Sequence, residues 1–379
     1  MGTSVFTYER MSVPTKDLRI CQKKDVGRYI FFSSSRDDEA IAYHTEEESM
    51  KRSFCITISL LLAAVLAVSS PVFAEKKVIK LSHSHQADFA SEIHTAAWIF
   101  QQWVNENSDT LEVKIYAANA LGEEREAYEG MQLGSGATCV ISGTAILNNF
   151  TQKIGVLDLP FLWKGYDHVH AVLDGETGAM LAGELEKAGF KVLAWMDSWG
   201  YRNVVTSKKE VKTPEDIKGL KLRTIQTPIY VAALNAMGAN ATPMAFGEVY
   251  TAIQIGVLDG FEHGAAVVKA QKMYEVTKYI AMTRHLFGPL VFVYSKAEWE
   301  KLSDEEKDVV LQAAVMARDV QRGLAPIREA EAFQFLKDKG MVIHEVDTST
   351  FRENAVAIQN EIAEERGVSD LLELIRSVD

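Results

Sequence analysis

Arg223 is the one conspicuous charge on a quiet predicted strand, and its place in the chain suggests anion binding. The segment Gly219–Thr224 alternates with a period of two, which predicts a strand that ends just before Thr227-Pro228 opens a helix. Ligands of open α/β sheets bind at the carboxyl ends of the strands. A guanidinium there can hold a carboxylate through two parallel hydrogen bonds. The residues alone leave a second interpretation open, in which Arg223 pairs with a neighbouring Asp or Glu.

Other polar side chains also fall at the carboxyl ends of predicted strands. They are His83, His85, Thr144, Arg202, Glu262 and His263. The aromatic residues near them in sequence are Trp199, Phe246 and Phe261. Two arginines flanked by aromatic and short polar groups suit a small organic anion in a pocket. The structural alternatives are that Trp199 and Phe261 are core residues and that Arg202 forms a salt bridge.

Two His-x-His pairs, His83-x-His85 and His168-x-His170, leave a metal-binding receptor or a metal-dependent enzyme as the alternative function. A zinc site needs three or four ligands held in place, so two such pairs are weak support. The sequence contains no nucleophile elbow, HExxH, P-loop or GxGxxG motif. Glu262 and His263 are adjacent and would point to opposite faces of an extended segment. We therefore expect no catalytic residue, no metal ligand and no cofactor.

The elements that must position these residues alternate between strand and helix. A strand at Val78–Ser82, an amphipathic helix through Phe100 and a strand at Leu111–Tyr116 give the β-α-β order that opens a doubly wound α/β fold. A second α/β unit begins after Trp199. In that unit, Val257–Asp259 is predicted to be a short strand, so that Glu262 and His263 would follow its end.

Two further segments are expected to connect the units. The apolar run Leu286–Tyr294 is predicted to be one long strand that crosses back to the first unit. Ser303 opens a capping box, and a long helix should follow from Lys307 to about Lys339. Pro326 is expected to kink or break this helix, because proline lacks the backbone N–H and clashes with the preceding turn.

The bulk composition limits the classes of partner. A chain of 379 residues with 47% hydrophobic and 24% charged residues is long enough for two domains with real cores. Its net charge of −12 argues against nucleic acid or an anionic membrane surface as the main partner, but does not exclude an anionic ligand. Cys21, Cys55 and Cys139 lack paired spacing, so we expect no disulfide framework and no cysteine-based metal site.

Residues 50–74 have the order of a cleavable signal peptide. Lys51 and Arg52 precede an apolar run at 54–68, and Val72 and Ala74 supply small residues before the expected cleavage site. We interpret residues 1–49 as the product of a translation start placed too early, with a cytoplasmic tail as the alternative. The mature chain would then begin at Glu75 and lie in the periplasm.

Several segments resemble a known family. They are GLKLR at 219–223, GANATPM at 238–244, FGEVYTAIQ at 246–254 and VLDG at 257–260, with LGEER at 121–125, LPFL at 159–162 and AQKMYEV at 270–276. Together they resemble the extracytoplasmic solute-binding proteins of tripartite ATP-independent periplasmic (TRAP) transporters, the DctP family. The resemblance covers nearly the whole chain from Glu75 onward.

The resemblance implies a periplasmic-binding-protein-like fold, in which two α/β domains joined by hinge strands and a long spanning helix close on a ligand. We expect residues 75–199 plus 289–327 to form domain I and residues 200–288 plus 328–379 to form domain II. A receptor of this kind is not an enzyme.

The resemblance also implies roles for particular residues. The family's carboxylate-binding arginine matches Arg223, and a second arginine matches Arg202 across a one-residue gap. His263 stands where the family usually has Asn, and Gly143-Thr144 stands where sialic-acid binders have an acidic residue, which argues against sialic acid. The other residues expected to contact the ligand are His263, Glu262, Thr144, His83, Trp199 and Phe246.

We therefore expect a receptor for a small organic acid that delivers its ligand to the membrane subunits of a TRAP transporter. A sugar acid is the first candidate ligand, because His263 and its polar neighbours suit hydroxyl groups. A C4-dicarboxylate or a 2-oxo acid comes next. A sensory receptor of the same fold that signals to a kinase stays open as an alternative, and we expect a monomer rather than a dimer.

Overall fold

Two β-sheets organise residues 75–379, the part of the chain that this computed structural model describes. The expected signal peptide and residues 1–49 lie outside the described residues. The strands, in chain order, are β1 Lys77–Ser82, β2 Leu111–Tyr116, β3 Cys139–Gly143, β4 Phe190–Met196, β5 Arg202–Thr206, β6 Lys221–Thr224, β7 Asn240–Pro243, β8 Gly260–His263, β9 Tyr279–Leu286, β10 Leu290–Ser295 and β11 Val342–Glu345.

Helices connect and cover the strands. In chain order they are α1 Glu92–Asn107, α2 Glu124–Gln132, α3 Thr144–Leu147, α4 Tyr166–Leu173, α5 Glu176–Lys187, α6 Pro214–Ile217, α7 Pro228–Ala236, α8 Val249–Gln254, α9 Ala265–Ala270, α10 Lys296–Trp299, α11 Asp304–Asp338, α12 Thr348–Glu365 and α13 Ser369–Ser377. Short 3-10 helices occupy Gln152–Asp158, Phe246–Glu248 and Met273–Glu275.

Each sheet is the centre of one lobe. The first has the order β2-β1-β3-β10-β4 and, with α1 to α5, forms lobe one. The second has the order β11-β9-β5-β8-β6-β7 and, with α6 to α9, forms lobe two. Most neighbouring strands are parallel, but β10 runs antiparallel to β3 and β4, and β5 runs antiparallel to β8 and β9. The predicted two-domain α/β fold is confirmed.

Two extended crossings join the lobes. The chain passes from β4 to β5 through residues 197–201, and from β9 to β10 through residues 287–289. The prediction of one strand over Leu286–Tyr294 is wrong, because Gly288 has a positive φ of 59° and Pro289 has no N–H to donate to a ladder. The expected strand at Val257–Asp259 is also displaced: the strand is β8 itself, so Glu262 and His263 belong to it.

The long helix α11 is the third connection between the lobes. Ser303 caps it in a capping box with Glu306, as predicted, and the helix continues through Pro326 without a break. Its first half packs Ala313 and Ala317 into the core of lobe one. Its second half packs Ala332 and Leu336 into the core of lobe two. The structure therefore confirms the expected spanning helix.

The C-terminal helices do not stay on one lobe. Phe351 and Ala355 at the start of α12 pack into the core of lobe two. Leu371 and Ile375 of α13 lie instead in the core of lobe one, with Leu181 of α5. The expectation that residues 328–379 belong wholly to the second domain therefore fails for α13, because its apolar face finds its partner on α5. The remaining domain boundaries stay a prediction.

Hydropathy gives one further result for residues 75–379: none of the helices in that range is both long enough and apolar enough to span a bilayer.

We predict that Gly260→Ala destabilises lobe two. A Cβ at Gly260 would lie 2.1 Å from the carbonyl oxygen of Val205 on the neighbouring strand, and neither backbone can move freely inside the sheet. We expect the free energy of unfolding in urea to fall by about 1–3 kcal/mol. Gly183→Ala is the control, because its Cβ would meet open space within α5 and should raise stability by about 0.5–1 kcal/mol. Equal stabilities of the two variants would contradict this account of the sheet.

Candidate ligand-binding site

A cavity lies between the two lobes, and its wall combines apolar surface with a small number of polar groups, as in small-molecule sites. Lobe one and the crossing after β4 form one side of its wall, and strands β5, β6 and β8 form the other. The polar residues of the wall are Ser84, His85, Glu124, Ser142, Arg202, Arg223 and His263. The aromatic residues of the wall are Trp199, Tyr230 and Phe246.

Arg223 is a buried cation whose terminal nitrogens are available. Its Nε donates to the carbonyl oxygen of Met244 at 2.9 Å, and its guanidinium lies 5.5 Å from the centre of the Phe246 ring. None of residues 75–379 accepts a hydrogen bond from its Nη atoms. The pKa of Arg223 is lowered to about 10, mainly by burial; Glu262 acts to raise this pKa and the charge of Arg202 acts to lower it. The cavity thus contains a desolvated positive charge that an anion would stabilise.

Arg202 is a paired cation. It is fully buried, and its Nη2 donates to Oε1 of Glu262 at 2.8 Å and to the Glu262 carbonyl oxygen at 3.0 Å, while its Nε donates to the other carboxylate oxygen. Burial acts to lower the pKa of Arg202, but Glu262 outweighs burial, so the net shift is upward. The guanidinium lies 5.3 Å from the centre of the Tyr230 ring. Its Nη1 lies in the cavity wall 3.4 Å from Nε2 of His263.

Glu262 holds Arg202 and does not line the cavity. Its Oε1 also accepts from the hydroxyl of Thr224 at 3.1 Å, and its Oε2 lies 3.7 Å from Nε2 of His285. The carboxylate is therefore already occupied by protein donors. The expectation that Glu262 contacts the ligand directly is not met by this geometry. The salt bridge that the sequence left open as the alternative for Arg202 is the contact that forms.

His263 is a neutral imidazole that faces the cavity. Its Nδ1 accepts a hydrogen bond from the backbone N–H of Gly264 at 2.9 Å, which assigns the proton of the neutral ring to Nε2. With this tautomer, the 3.4 Å approach of Arg202 Nη1 to Nε2 is a contact between two donors and not a hydrogen bond. Burial, together with the positive charges of Arg202 and Arg223, holds the pKa of His263 well below its usual range. Nε2–H is therefore a donor beside two arginines, and all three groups suit one oxyanion.

Thr144 and His83 lie outside the cavity wall. Thr144 donates its hydroxyl to Oδ1 of the buried Asp158 at 3.0 Å. His83 lies 3.1 Å, nitrogen to nitrogen, from His94. Strand β1 ends at Ser82, so His83 belongs to the following loop and the alternation of side chains along the strand does not fix its direction. His85 lines the cavity instead, with its ring stacked on Trp199 at 5.4 Å.

Trp199 and Phe246 lie in the wall, where the sequence placed them. Trp199 also contacts His263, with ring centres 5.1 Å apart. Its Nε1 is buried and has no hydrogen-bond partner among residues 75–379. A buried N–H without a partner is uncommon in proteins and costs free energy. Trp199 is thus a wall residue with one unsatisfied buried donor.

Glu124, at the first position of α2, is the site residue that sequence reasoning missed. Its Oε1 accepts hydrogen bonds from the hydroxyls of Ser84 and Ser142. Its Oε2 has no hydrogen-bond partner among the described residues and lies in the cavity wall. The available signal was the segment LGEER at 121–125, which carried part of the family resemblance. Nothing in its spacing shows that the start of this helix meets the end of β3.

The two His-x-His pairs do not converge. His168 and His170 lie on the helix α4, not on an extended segment, and each ring has its own protein partner: the Ile375 carbonyl oxygen and Asp197 respectively. Within residues 75–379, no group of three or more His, Cys, Asp or Glu side chains has an arrangement suited to a metal ion.

Comparison with known proteins decides the family. The model of the DctP family, described as bacterial extracellular solute-binding protein, family 7, matches residues 83–366. The chain belongs to this family. Its members are solute-binding receptors of TRAP transporters and not enzymes, so the resemblance seen in the sequence is confirmed.

Some of the relatives are named for their ligands, two of them as follows. The 2,3-diketo-L-gulonate-binding periplasmic protein YiaO of Escherichia coli (strain K12) is 31% identical over 328 residues, which cover 86% of this chain and 98% of the relative. The C4-dicarboxylate-binding periplasmic protein DctP of Rhodobacter capsulatus is 30% identical over 315 residues, which cover 82% of this chain and 93% of the relative.

Solved structures agree with the fold. A TRAP periplasmic solute-binding protein from Polaromonas sp. JS666 bound to D-erythronate has 31% identity and a TM-score of 0.76, covering 80% of this chain and 99% of that chain. A second, from Sulfitobacter sp. NAS-14.1 with bound β-D-galacturonate, has 31% identity and a TM-score of 0.76, covering 79% of this chain and 99% of that chain.

We predict that Glu262→Gln removes a pH-dependent part of the stability. Burial alone would raise the pKa of Glu262, but Arg202 and His285 outweigh it and lower the pKa from 4.5 to about 2. A lowered carboxyl pKa contributes stability above pH 4.5 that is lost as the pH falls toward 2. Urea unfolding across that range should show a steeper loss for the wild-type protein than for the variant.

The same variant should be less stable near neutral pH. Arg202 would stay buried without its counter-charge, which costs about 3–5 kcal/mol. Exposed Glu345, which pairs with Arg284 at the surface, supplies the control Glu345→Gln, with an expected cost of no more than about 1 kcal/mol. Parallel pH profiles for the wild-type protein and Glu262→Gln would contradict the assignment of the ion pair.

Proposed function

We propose that this protein is an exported receptor that binds a sugar acid, holds the carboxylate with Arg223, and delivers the acid to a TRAP membrane transporter. The observation that carries the proposal is the buried Arg223 guanidinium, whose terminal nitrogens have no partner in the described chain. A buried charge without an ion-pair partner is costly, so a carboxylate there gains charge-assisted hydrogen bonds.

The carboxylate end of the ligand would be recognised by three donors. Arg223 supplies its Nη groups, Arg202 supplies Nη1, and His263 supplies Nε2–H. Glu262 fixes the plane of the Arg202 guanidinium, so its free nitrogen is held in one direction before ligand arrives. A site whose donors are held in place beforehand loses less conformational entropy on binding.

The remainder of the ligand would be recognised through hydroxyl groups. Oε2 of Glu124 accepts hydrogen bonds but donates none, so it suits a hydroxyl and disfavours a second carboxylate by like-charge repulsion. The Trp199 N–H and His85 add polar groups of the same wall. This pattern favours a hydroxylated monocarboxylate over a C4-dicarboxylate. The erythronate and galacturonate in the related structures are acids of that kind.

The same ligand would draw the lobes together. Glu124 and His85 belong to lobe one, whereas Arg223 and His263 belong to lobe two. An acid held at both ends therefore bridges them and stabilises the closed arrangement that a transporter would recognise. Export rests on the signal-peptide pattern of residues 50–74 and on the periplasmic location of named relatives.

We predict that Arg223→Ala weakens acid binding. Thermal shift and calorimetry with D-glucuronate, D-galacturonate and D-erythronate should show at least one stabilising acid for the wild-type protein. Loss of a buried charged hydrogen-bond partner should reduce the binding free energy of that acid by at least about 2 kcal/mol, which raises its Kd roughly 30-fold. Lys221→Ala is the matched control, since Lys221 lies on the same strand but is exposed. Unchanged affinity in Arg223→Ala, or no binding by any organic acid, would refute the proposal.

We predict that Glu124→Gln changes the preference between classes of acid. Losing the negative charge should weaken sugar-acid binding by roughly tenfold, because a hydrogen bond to a charged acceptor contributes about 1.5–3 kcal/mol. The same change should improve succinate and malate relative to the sugar acid, because the repulsion is gone. Exposed Glu129 on the same helix gives the control Glu129→Gln. A constant ratio of the two affinities would exclude Glu124 as the selecting residue.

A further inference from the structure

Gly247 and Glu123 face each other across the cleft. Gly247 lies in the 3-10 helix Phe246–Glu248 of lobe two, and Glu123 is the residue that precedes α2 of lobe one. A Cβ placed on Gly247 would lie 2.6 Å from Oε1 of Glu123, whereas Cβ atoms essentially never come within 3.0 Å of another heavy atom. The two lobes therefore touch here, and they touch too closely for Gly247 to carry a side chain.

The backbone of Gly247 does not itself require glycine. Its φ lies outside the left-handed region that other residues avoid, and alanine is favoured over glycine within a helical turn. The nearest atoms that a Cβ at Gly247 would meet, at 2.6 to 4.0 Å, all belong to Glu123. What a side chain at this position would disturb is therefore the contact with the opposite lobe.

Glu123 is held in place by its own lobe, so its carboxylate cannot move aside without cost. Its Oε2 accepts a hydrogen bond from Nδ2 of Asn119 at 2.8 Å, and the backbone N–H of Asn119 donates to the His83 carbonyl oxygen at 3.2 Å. Burial is the main cause that raises the pKa of Glu123, and the charge of Glu248 on lobe two also acts to raise it. The carboxylate is thus fixed by lobe one and close to lobe two.

The contact lies beside the ligand cavity and not within it. Neither Glu123 nor Gly247 belongs to the wall of that cavity, but Phe246, the neighbour of Gly247, does. The Phe246 ring lies 5.5 Å from the guanidinium of Arg223. Two recesses adjoin the ligand cavity, and Glu123 and Phe246 belong to the walls of both. The approach of Gly247 to Glu123 therefore brings the Phe246 segment over the cavity at the end where Arg223 lies.

A second contact between the lobes borders one of these recesses. Nδ2 of Asn149 on lobe one donates to the carbonyl oxygen of Gln226 on lobe two at 3.3 Å, and Gln226 lies in the recess wall that also contains Arg223. The structure therefore has the two lobes in contact at two places close to the arginine, which is the arrangement of a closed cleft.

We propose that Gly247 determines ligand affinity from outside the cavity, because its missing side chain lets lobe two close onto Glu123. The inference rests on the proposed function, since it concerns an acid that is held between the lobes at Arg223. Such a ligand contacts both lobes only when the cleft is closed. A change that raises the free energy of the closed arrangement therefore weakens the binding of every ligand by the same factor.

The test measures the Kd values of D-glucuronate, D-galacturonate and D-erythronate by calorimetry on the whole protein. Gly247→Ala should raise the Kd of each acid that binds by the same factor, at least about fivefold, because the added Cβ overpacks the contact between the closed lobes. Gly183→Ala is the matched control, because its Cβ meets open space on lobe one, and its Kd values should equal those of the wild-type protein.

A second substitution, on the opposite lobe, identifies the cause. Glu123→Ser removes the side chain that reaches Gly247 but leaves a preferred N-cap residue three positions before Glu126, so the start of α2 is retained. The double variant should bind each acid with the same Kd as Glu123→Ser alone, because the overpacking is gone. Such non-additivity is expected of two residues in direct contact.

Three outcomes contradict the inference and leave the proposed function intact. The first is an unchanged Kd in Gly247→Ala, and the second is a raised Kd that Glu123→Ser does not restore. The third is a different factor for each acid, because Gly247 would then act on the ligand itself. Absence of binding to the wild-type protein by these three acids, and by other organic acids, overturns both proposals.

Discussion

The buried ion pair between Arg202 and Glu262 is the interaction on which the site depends. Two guanidinium groups line one cavity, and Glu262 offsets the repulsion between them by pairing with Arg202. Arg223 is left without an ion-pair partner among residues 75–379, although Glu262 and Glu124 act on it electrostatically. The division into a paired and an unpaired arginine makes this buried charge cluster a candidate anion-binding site.

The fold supports this division by its sheet order. β5 carries Arg202, β8 carries Glu262 and His263, and β6 carries Arg223, and these three strands are neighbours. The antiparallel pairing of β5 with β8 sets Asn203 opposite His263 and Val204 opposite Glu262, which brings Arg202 to the carboxylate of Glu262. Arg223 pairs in parallel register with Phe261. Residues far apart in sequence thus meet at one end of the sheet.

Much of the fold could be predicted from the sequence, but the partners of individual polar groups could not. Periodicity and caps located the strand of Arg223 and the start of α11, because these are local signals. His85 lines the wall where His83 was predicted, and Glu124 lines it without having been predicted. Both positions depend on the paths of the loops after β1 and β2, which no local sequence pattern specifies. Glu262 looked like a ligand contact because its tertiary partner, Arg202, is sixty residues away in sequence.

The spanning helix α11 packs on both lobes, and one turn of it, the turn that contains Pro326, lies between the two packed halves. Pro326 lies between the half that packs on lobe one and the half that packs on lobe two, and it contributes no N–H to the helical hydrogen-bond ladder. Bending is least costly where that bond is already missing. Any separation of the lobes has to be accommodated along this helix, and the turn that contains Pro326 is where bending costs least.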